Sequence, residues 1–386
     1  MNSGWPQITL HSGGTKRQIM ARQTGRKYHS PGQRHRSRID THGKRRIVKL
    51  RLMLPFKLVY SEKYYLPIGE HVFRADKYRL IRERLLQEHA ADDSDFLVPE
   101  SASESDILLV HSPHYINKLM EGSLSAREEL QMEIPYSPQV VDAFMLHTGG
   151  SIMAAERALQ DGVCFNLGGG FHHAFPDHGE GFCMINDFAV AIRVMQRRGK
   201  IQRAMTIDCD VHQGNGTAVI FGNSGYKAGT LPSWPAPVMG SAPGASPGKG
   251  NAKDVFTISL HQEHNYPYSK PASSIDVNLP DGCGDEEYLA WLDNALSSGL
   301  RQFEPDLICY VAGADPFRQD QLGGLSLTIE GLKQRDDLIF RAARARSIPV
   351  MSVYAGGYAS RVEDTVTIHC NTVLAAAEVY RTVSER

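Results

Sequence analysis

The chain has 386 residues, 41% of them hydrophobic and 22% charged, with a formal net charge of −1, the composition of a globular protein. No apolar run approaches the roughly 18 residues that a membrane-spanning helix needs, and the 6 cysteines lack C-x-x-C spacing, which argues against a disulfide framework or a sulfur-ligated zinc site and for a reducing, cytoplasmic setting. The charge is unevenly spread: residues 1–51 carry 13 Lys and Arg against one acid, Asp40, so the remainder is acidic.

Residues 1–52 are rich in Arg, Ser, Gly and Gln without hydrophobic periodicity, and too little apolar surface is available to offset ordering entropy. They read as a disordered basic arm. A transit peptide or a weak nucleic-acid contact fits the same composition. From residue 53 to 386 the pattern predicts one domain. Phe56–Tyr60 reads as a first strand, Asp76–Glu88 as a helix, and Pro138–Leu159 as a helix interrupted at Gly149-Gly150. Strands are predicted at Val163–Leu167, Ala204–Ile207, Val255–Leu260, Leu307–Val311 and Pro349–Tyr354. Helices are predicted at Asn186–Gln196, Glu286–Gln302, Ile329–Ala345 and, to close, near Thr372–Ser384. This alternation implies a three-layer α/β/α fold around a mainly parallel sheet. Residues 222–252 break it with 7 glycines and 5 prolines and predict a flexible insertion on the edge opposite the strand carboxyl ends.

Five predicted strands run straight into polar or glycine-rich clusters: Gly168-Gly-Gly-Phe-His172-His173, Asp208-Cys-Asp210-Val-His212, His261, Gly313-Ala-Asp315 and Ala355-Gly-Gly-Tyr358. Open α/β sheets bind ligands outside the carboxyl ends of their strands. On an extended backbone Asp208, Asp210 and His212 would share one face, and their mutual repulsion calls for a compensating cation. Oxygen and imidazole donors together suit zinc and its neighbours. Asp315, after a Gly-Ala bend, supplies a third ligand to Asp210 and His212 and leaves positions open for water and substrate. His172 and His173 follow three glycines and suit proton transfer near neutral pH. Asp208 is placed to orient one imidazole and Asn215 the other. Tyr358, presented by glycines, can donate to a developing oxyanion.

The motifs Gly-Gly-Gly-Phe-His-His-Ala (168–174), Gly-Phe-Cys-Met-Ile-Asn-Asp (181–187), Asp-Cys-Asp-Val-His-Gln-Gly-Asn-Gly-Thr (208–217), Leu-Pro-Asp-Gly-Cys-Gly-Asp-Glu-Glu-Tyr (279–288), Ala-Gly-Ala-Asp (312–315) and Gly-Gly-Tyr (356–358) occur in this order. In these the chain resembles the histone deacetylase superfamily, most closely the class IV enzymes and their bacterial relatives. The resemblance runs from about Pro55 to the C-terminus. It implies an arginase/deacetylase-like fold and one Zn²⁺ on Asp210, His212 and Asp315. It further implies His172, His173, Asp208, Asn215 and Tyr358 as catalytic residues, with Asn215 at a place where some classes carry Asp and others Asn. A K⁺ or Na⁺ ion would lie near Asp208, Asp210, His212, Ser259 and Leu260. Gly181, Phe182 and Tyr266 would line the acyl-lysine channel.

The activity implied is removal of acetyl or longer acyl groups from lysine side chains. The same chemistry serves acetylated polyamines or other small amides. Two further readings are an arginase-type ureohydrolase and a catalytically inactive acyl-ligand binder. The ureohydrolase pattern needs a carboxylate where this chain has Gly214, and the inactive binder would have lost a catalytic position, whereas all are present.

Overall fold

A computed structural model describes residues 54–222 and 254–381, with the backbone of two short strands, β1 (Arg36–Ile39) and β2 (Arg45–Val48). Two structural units divide the chain, Met1–Arg51 and Leu52–Arg386. In the first, β1 and β2 pair antiparallel, Arg36 opposite Val48 and Ile39 opposite Arg45. The sequence reads there as a tail without regular structure. Over Arg36–Ile39 and Arg45–Val48 it is a ribbon instead. The rest of the arm lies outside the described residues.

The second unit holds β3 (Leu58–Val59), β4 (Phe96–Leu97), β5 (Val163–Asn166), β6 (Ala204–Asp208), β7 (Val255–Gln262), β8 (Ile275–Leu279), β9 (Leu307–Ala312) and β10 (Val350–Tyr354). They form one sheet in the order β4-β3-β5-β10-β9-β6-β7-β8, every neighbouring pair parallel. Its helices are α1 (Lys77–Gln87), α2 (Glu104–Ile107), α3 (Pro113–Glu121), α4 (Ala126–Met132), α5 (Pro138–Asp161), α6 (Asp187–Arg197), α7 (Asn215–Phe221), α8 (Asp285–Gln302), α9 (Ile329–Ala345) and α10 (Val362–Tyr380). The central strands β5, β6, β9 and β10 are buried along their whole length, as expected of a parallel sheet covered on both faces. The 222–252 insertion lies, apart from Gly222, outside the described residues. The chain returns at Asp254, at the amino end of β7.

Three departures from the expected elements bear on packing. The first strand shrinks to Leu58–Val59. The last helix starts at Val362, ten residues before the expected Thr372, because a β-branched, polar-looking stretch is buried against α1 and α9 and packing overrides weak helix propensity. The third is α5, which is unbroken at Gly149-Gly150. The glycines there serve contact. A Cβ at Gly149 would strike the Glu100 carbonyl, and one at Gly150 the Tyr64 hydroxyl. That hydroxyl donates to Asn166 Oδ1 at 2.7 Å, so α5 is seated directly on the end of β5. Gly150→Ala is therefore expected to destabilise the protein by about 1–3 kcal/mol through overpacking. If Gly150 were only a weak helix former, the change would stabilise by up to about 1 kcal/mol. The sign of the shift in a urea titration separates the two.

Candidate active site

The strands carrying the polar clusters are neighbours in the sheet, β5-β10-β9-β6-β7, so their carboxyl ends form one continuous edge. The β5 loop turns through Gly169 and Gly170, both at positive φ (77° and 81°), a backbone that side chains rarely tolerate. Asp187, at the start of α6, accepts from Phe171 N–H at 2.9 Å and pins this loop. The turn delivers His172 and His173 side by side, ring centroids 4.0 Å apart.

Beyond β6 the expected extended face is corrected. The strand ends at Asp208, and Asp210 to His212 lie in successive bends, so the three side chains do not share one strand face. Convergence comes from the bends. Asp208 turns to His172, Oδ2 lying 2.7 Å from Nδ1, while Asp210 and His212 meet Asp315 from the β9 loop. Ligand atoms of Asp210, His212 and Asp315 all lie within 4.8 Å of one another, and all three residues are buried. His212 Nδ1 is 3.0 Å from Asp210 Oδ1 and 3.4 Å from Asp315 Oδ2.

Backbone groups hold these carboxylates. Asp210 accepts from His212 N–H at 2.9 Å and Gly356 N–H at 2.8 Å, and Asp315 Oδ1 accepts from Val211 N–H at 2.9 Å. Asp315 Oδ2 is buried without a hydrogen bond. Burial, then the Asp210 carboxylate, pushes the Asp315 carboxyl up to about 8, so the pair resists carrying both charges unaided. A Cβ at Gly356 would collide with both carboxylates, so the glycine leaves the cradle open. A buried oxygen without a hydrogen bond, a second carboxylate and an imidazole in one cradle fit a divalent cation such as zinc.

The two histidines are held differently. Burial disfavours charge on His172, but Asp208 and Asp210 outweigh it and raise its pKa to about 9. His173 has no carboxylate against its ring: Nδ1 lies 2.7 Å from Asn215 Oδ1. Burial, then His172 and His212, holds it well below the usual imidazole range.

Tyr358 stands with its ring 6.4 Å from that of His212 and 5.9 Å from that of Phe182. Burial and the Asp210 and Asp315 carboxylates keep its phenol well above its ordinary pKa, in the donor form. Gly181 and Phe182 both adopt positive φ, and Tyr266 sets its ring edge-on to His173 and His212. A cavity of about 650 Å³ opens beside the cluster, bounded by Glu133, His178, Glu180, Asn215, Tyr266 and Tyr268. Ser259 lies opposite Asp208 in register, and Leu260 is fully buried. His261 is corrected: it belongs to β7 itself, and its ring is engaged by Ser259 and by Asn278 on β8.

Two contributors escape a reading of the sequence. Lys77, fully buried at the start of α1, donates to the Ala355 carbonyl at 2.6 Å and braces the loop that carries Tyr358. Burial lowers its pKa to about 8 against the pull of Asp315, Asp210 and Asp320. Arg335 on α9, also fully buried, donates Nη1 to the Gly313 carbonyl at 2.6 Å and the Cys209 carbonyl at 3.3 Å, joining the loops of Asp315 and Asp210. Both bridge segments far apart in the chain, which no local motif records.

The profile of the histone deacetylase domain matches residues 71–373. An uncharacterised protein of Picosynechococcus sp. is 36% identical over 326 residues, covering 84% of this chain and 99% of that protein. Histone deacetylase 2 of Arabidopsis thaliana is 31% identical over 314 residues, covering 78% and 74%. Among solved structures, a histone deacetylase homologue from Aquifex aeolicus superposes with a TM-score of 0.65 at 24% identity, covering 85% of this chain and 84% of that one, which shows the fold. An HDAC homologue complexed with SAHA superposes with the same TM-score of 0.65. With its eight-stranded parallel sheet and the matched domain, the chain belongs to the histone deacetylase family of hydrolases.

Proposed function

We propose that the protein is a zinc-dependent amidohydrolase that removes acetyl or longer acyl groups from lysine side chains. The observation carrying this reading is the buried Asp210-His212-Asp315 set beside two separately oriented histidines and a phenol. Those three residues would hold one Zn²⁺. When bound, it would supply polarisation of the amide carbonyl and a lowered pKa for a water molecule. His173, neutral and with Nδ1 committed to Asn215, offers Nε2 to take the proton of the attacking water. His172, kept cationic by Asp208, supplies positive charge beside the tetrahedral anion and a proton for the departing amine. Tyr358 donates its hydroxyl to the oxyanion.

The channel is assigned to Gly181, Phe182 and Tyr266. The class IV likeness rests on the ordered sequence motifs, and Asn215 is compatible with it. A K⁺ or Na⁺ ion is assigned beside Asp208, Asp210, His212, Ser259 and Leu260, supported by the register of Ser259 with Asp208. Six free, buried cysteines favour a reducing, cytoplasmic compartment, and no helix among the described residues is long and apolar enough to cross a membrane. A ureohydrolase is disfavoured by space as well as by sequence. A Cβ at Gly214 would sit 2.5 Å from Asp208 Oδ2 and 3.2 Å from His172, leaving no room for a carboxylate there.

The zinc-loaded protein, assayed on acetyl-, octanoyl- and myristoyl-lysine peptides and on acetylated polyamines, is expected to turn over the peptides, octanoyl at least as fast as acetyl. Turnover of acetylated polyamines alone would move the substrate to small amines. Urea release with two manganese ions per chain, or no turnover of any acyl amide, would overturn the reading.

A further inference from the structure

Glu180 carries no motif of its own, yet it anchors the polar network behind His173. Its Oε1 accepts from Asn215 Nδ2 at 2.6 Å and from the Tyr266 hydroxyl at 2.5 Å. Its Oε2 accepts from Gln131 Nε2 at 3.1 Å and faces His178 Nε2 at 3.5 Å. Burial opposes a charge here, but hydrogen bonds from His178, Tyr266, Gln131 and Asn215 outweigh it and lower the pKa to about 2. Glu180 is a carboxylate at every working pH.

Asn215 connects this charge to His173. The two ends of an amide are told apart by their neighbours. Here Gly216 N–H, which can only donate, lies 3.0 Å from Oδ1, and the Glu180 carboxylate, which can only accept, faces Nδ2. The atom turned to His173 is therefore oxygen. His173 Nδ1 must carry the proton, and its lone pair sits on Nε2. An amide has no net charge, but hydrogen bonds in series polarise one another in a medium of low dielectric. An Asn215 N–H donated to an anion makes the Asn215 oxygen a stronger acceptor for the imidazole N–H.

We propose that Glu180 is a positioning residue for hydrolysis, which holds Asn215 in one orientation and applies through its amide the negative charge that no carboxylate places directly against His173. This rests on the proposed role of His173 as base. The charge stands one residue back from the ring.

The test uses the full-length, zinc-loaded enzyme on an acetyl-lysine peptide. Glu180→Gln keeps shape and removes charge. Its kcat is expected to fall about tenfold, the low end of what losing a partner behind a metal-bound imidazole costs, with KM within about twofold. Asn215→Asp alone sets two carboxylates against each other across the 2.6 Å contact and should fall at least as far. The double variant moves the single charge into direct contact with His173 and should return to within about threefold of wild type. A purely structural Glu180 would give losses that multiply in the double variant, and that result would overturn the proposal. A raised KM at unchanged kcat in Glu180→Gln would also overturn it, making Glu180 a substrate contact from the adjoining cavity. Independently of any substrate, NMR of protein labelled with ¹⁵N-histidine should show the His173 Nδ1–H proton moving upfield in Glu180→Gln. An unmoved resonance would sink the polarisation, whether or not acyl-lysine proves to be the substrate.

Discussion

Asp210→Ala is expected to abolish zinc binding and to lower kcat/KM by about four orders of magnitude, the equivalent of roughly 5–6 kcal/mol of transition-state stabilisation. Asp210 is 1% exposed, and its oxygens are held by the N–H groups of His212 and Gly356, so its placement needs no cation. The substitution therefore removes a ligand from a site that is otherwise already assembled. Two opposing effects act on the metal-free fold. Two buried backbone N–H groups and the His212 ring lose a partner, at about 1–3 kcal/mol each, while Asp315 is relieved of a like charge. The metal-free variant should thus unfold within several degrees of the metal-free wild type, and zinc should raise Tm in the wild type only. The pH dependence has a definite sign. The folded pKa of Asp315, about 8, lies above its ordinary 3.8. Its contribution to metal-free stability is therefore complete below that ordinary value and is lost as pH rises through about 8. Removing Asp210 should flatten this slope. Zinc per chain by mass spectrometry and Tm with and without zinc check the result. A variant that still held one equivalent would remove Asp210 from the ligand set.

The candidate ligands are legible because Asp-x-His is local and Asp315 follows a strand through a short bend, so type and spacing carry them without knowledge of the fold. The backbone behind them is not legible. β6 pairs with β7 and β9 only as far as Asp208, and the Val211 carbonyl then accepts from Gln262 N–H at 2.9 Å, which bends the chain out of the sheet. That donor belongs to a strand reached only after the long insertion. Helix α4 did carry a readable signal, the capping box Ser125-Ala-Arg-Glu128, where the Ser hydroxyl and Glu carboxylate exchange hydrogen bonds with each other's N–H. Helix α3 likewise begins Ser112-Pro113, its Ser side chain accepting from Tyr115 N–H. Lys77, Glu180 and Arg335 carry no such mark. Each is an ordinary charged residue in its own segment, and its partner's position is a property of the completed sheet.

Tyr358→Phe should cost about 10²–10³ in kcat with zinc retained and KM little changed, since a donor aimed at the oxyanion acts on the transition state alone. The loop that presents Tyr358 is fixed without its hydroxyl. Its N–H donates to Asp320 Oδ2 at 2.6 Å, its carbonyl accepts from Gln321, and Lys77 grips Ala355 three residues before it. The ring rests against Phe73, Phe182 and His212, contacts that phenylalanine keeps. Among the described residues no hydrogen bond to the hydroxyl is formed, so its removal strands no partner, and Tm should stay within about a degree of wild type. This separation of rate from stability distinguishes an oxyanion donor from a structural tyrosine, whose loss would lower Tm and leave kcat near its original value. Wild-type turnover in the Phe variant would take the oxyanion from Tyr358 and leave the cationic His172 as the group that must bear it.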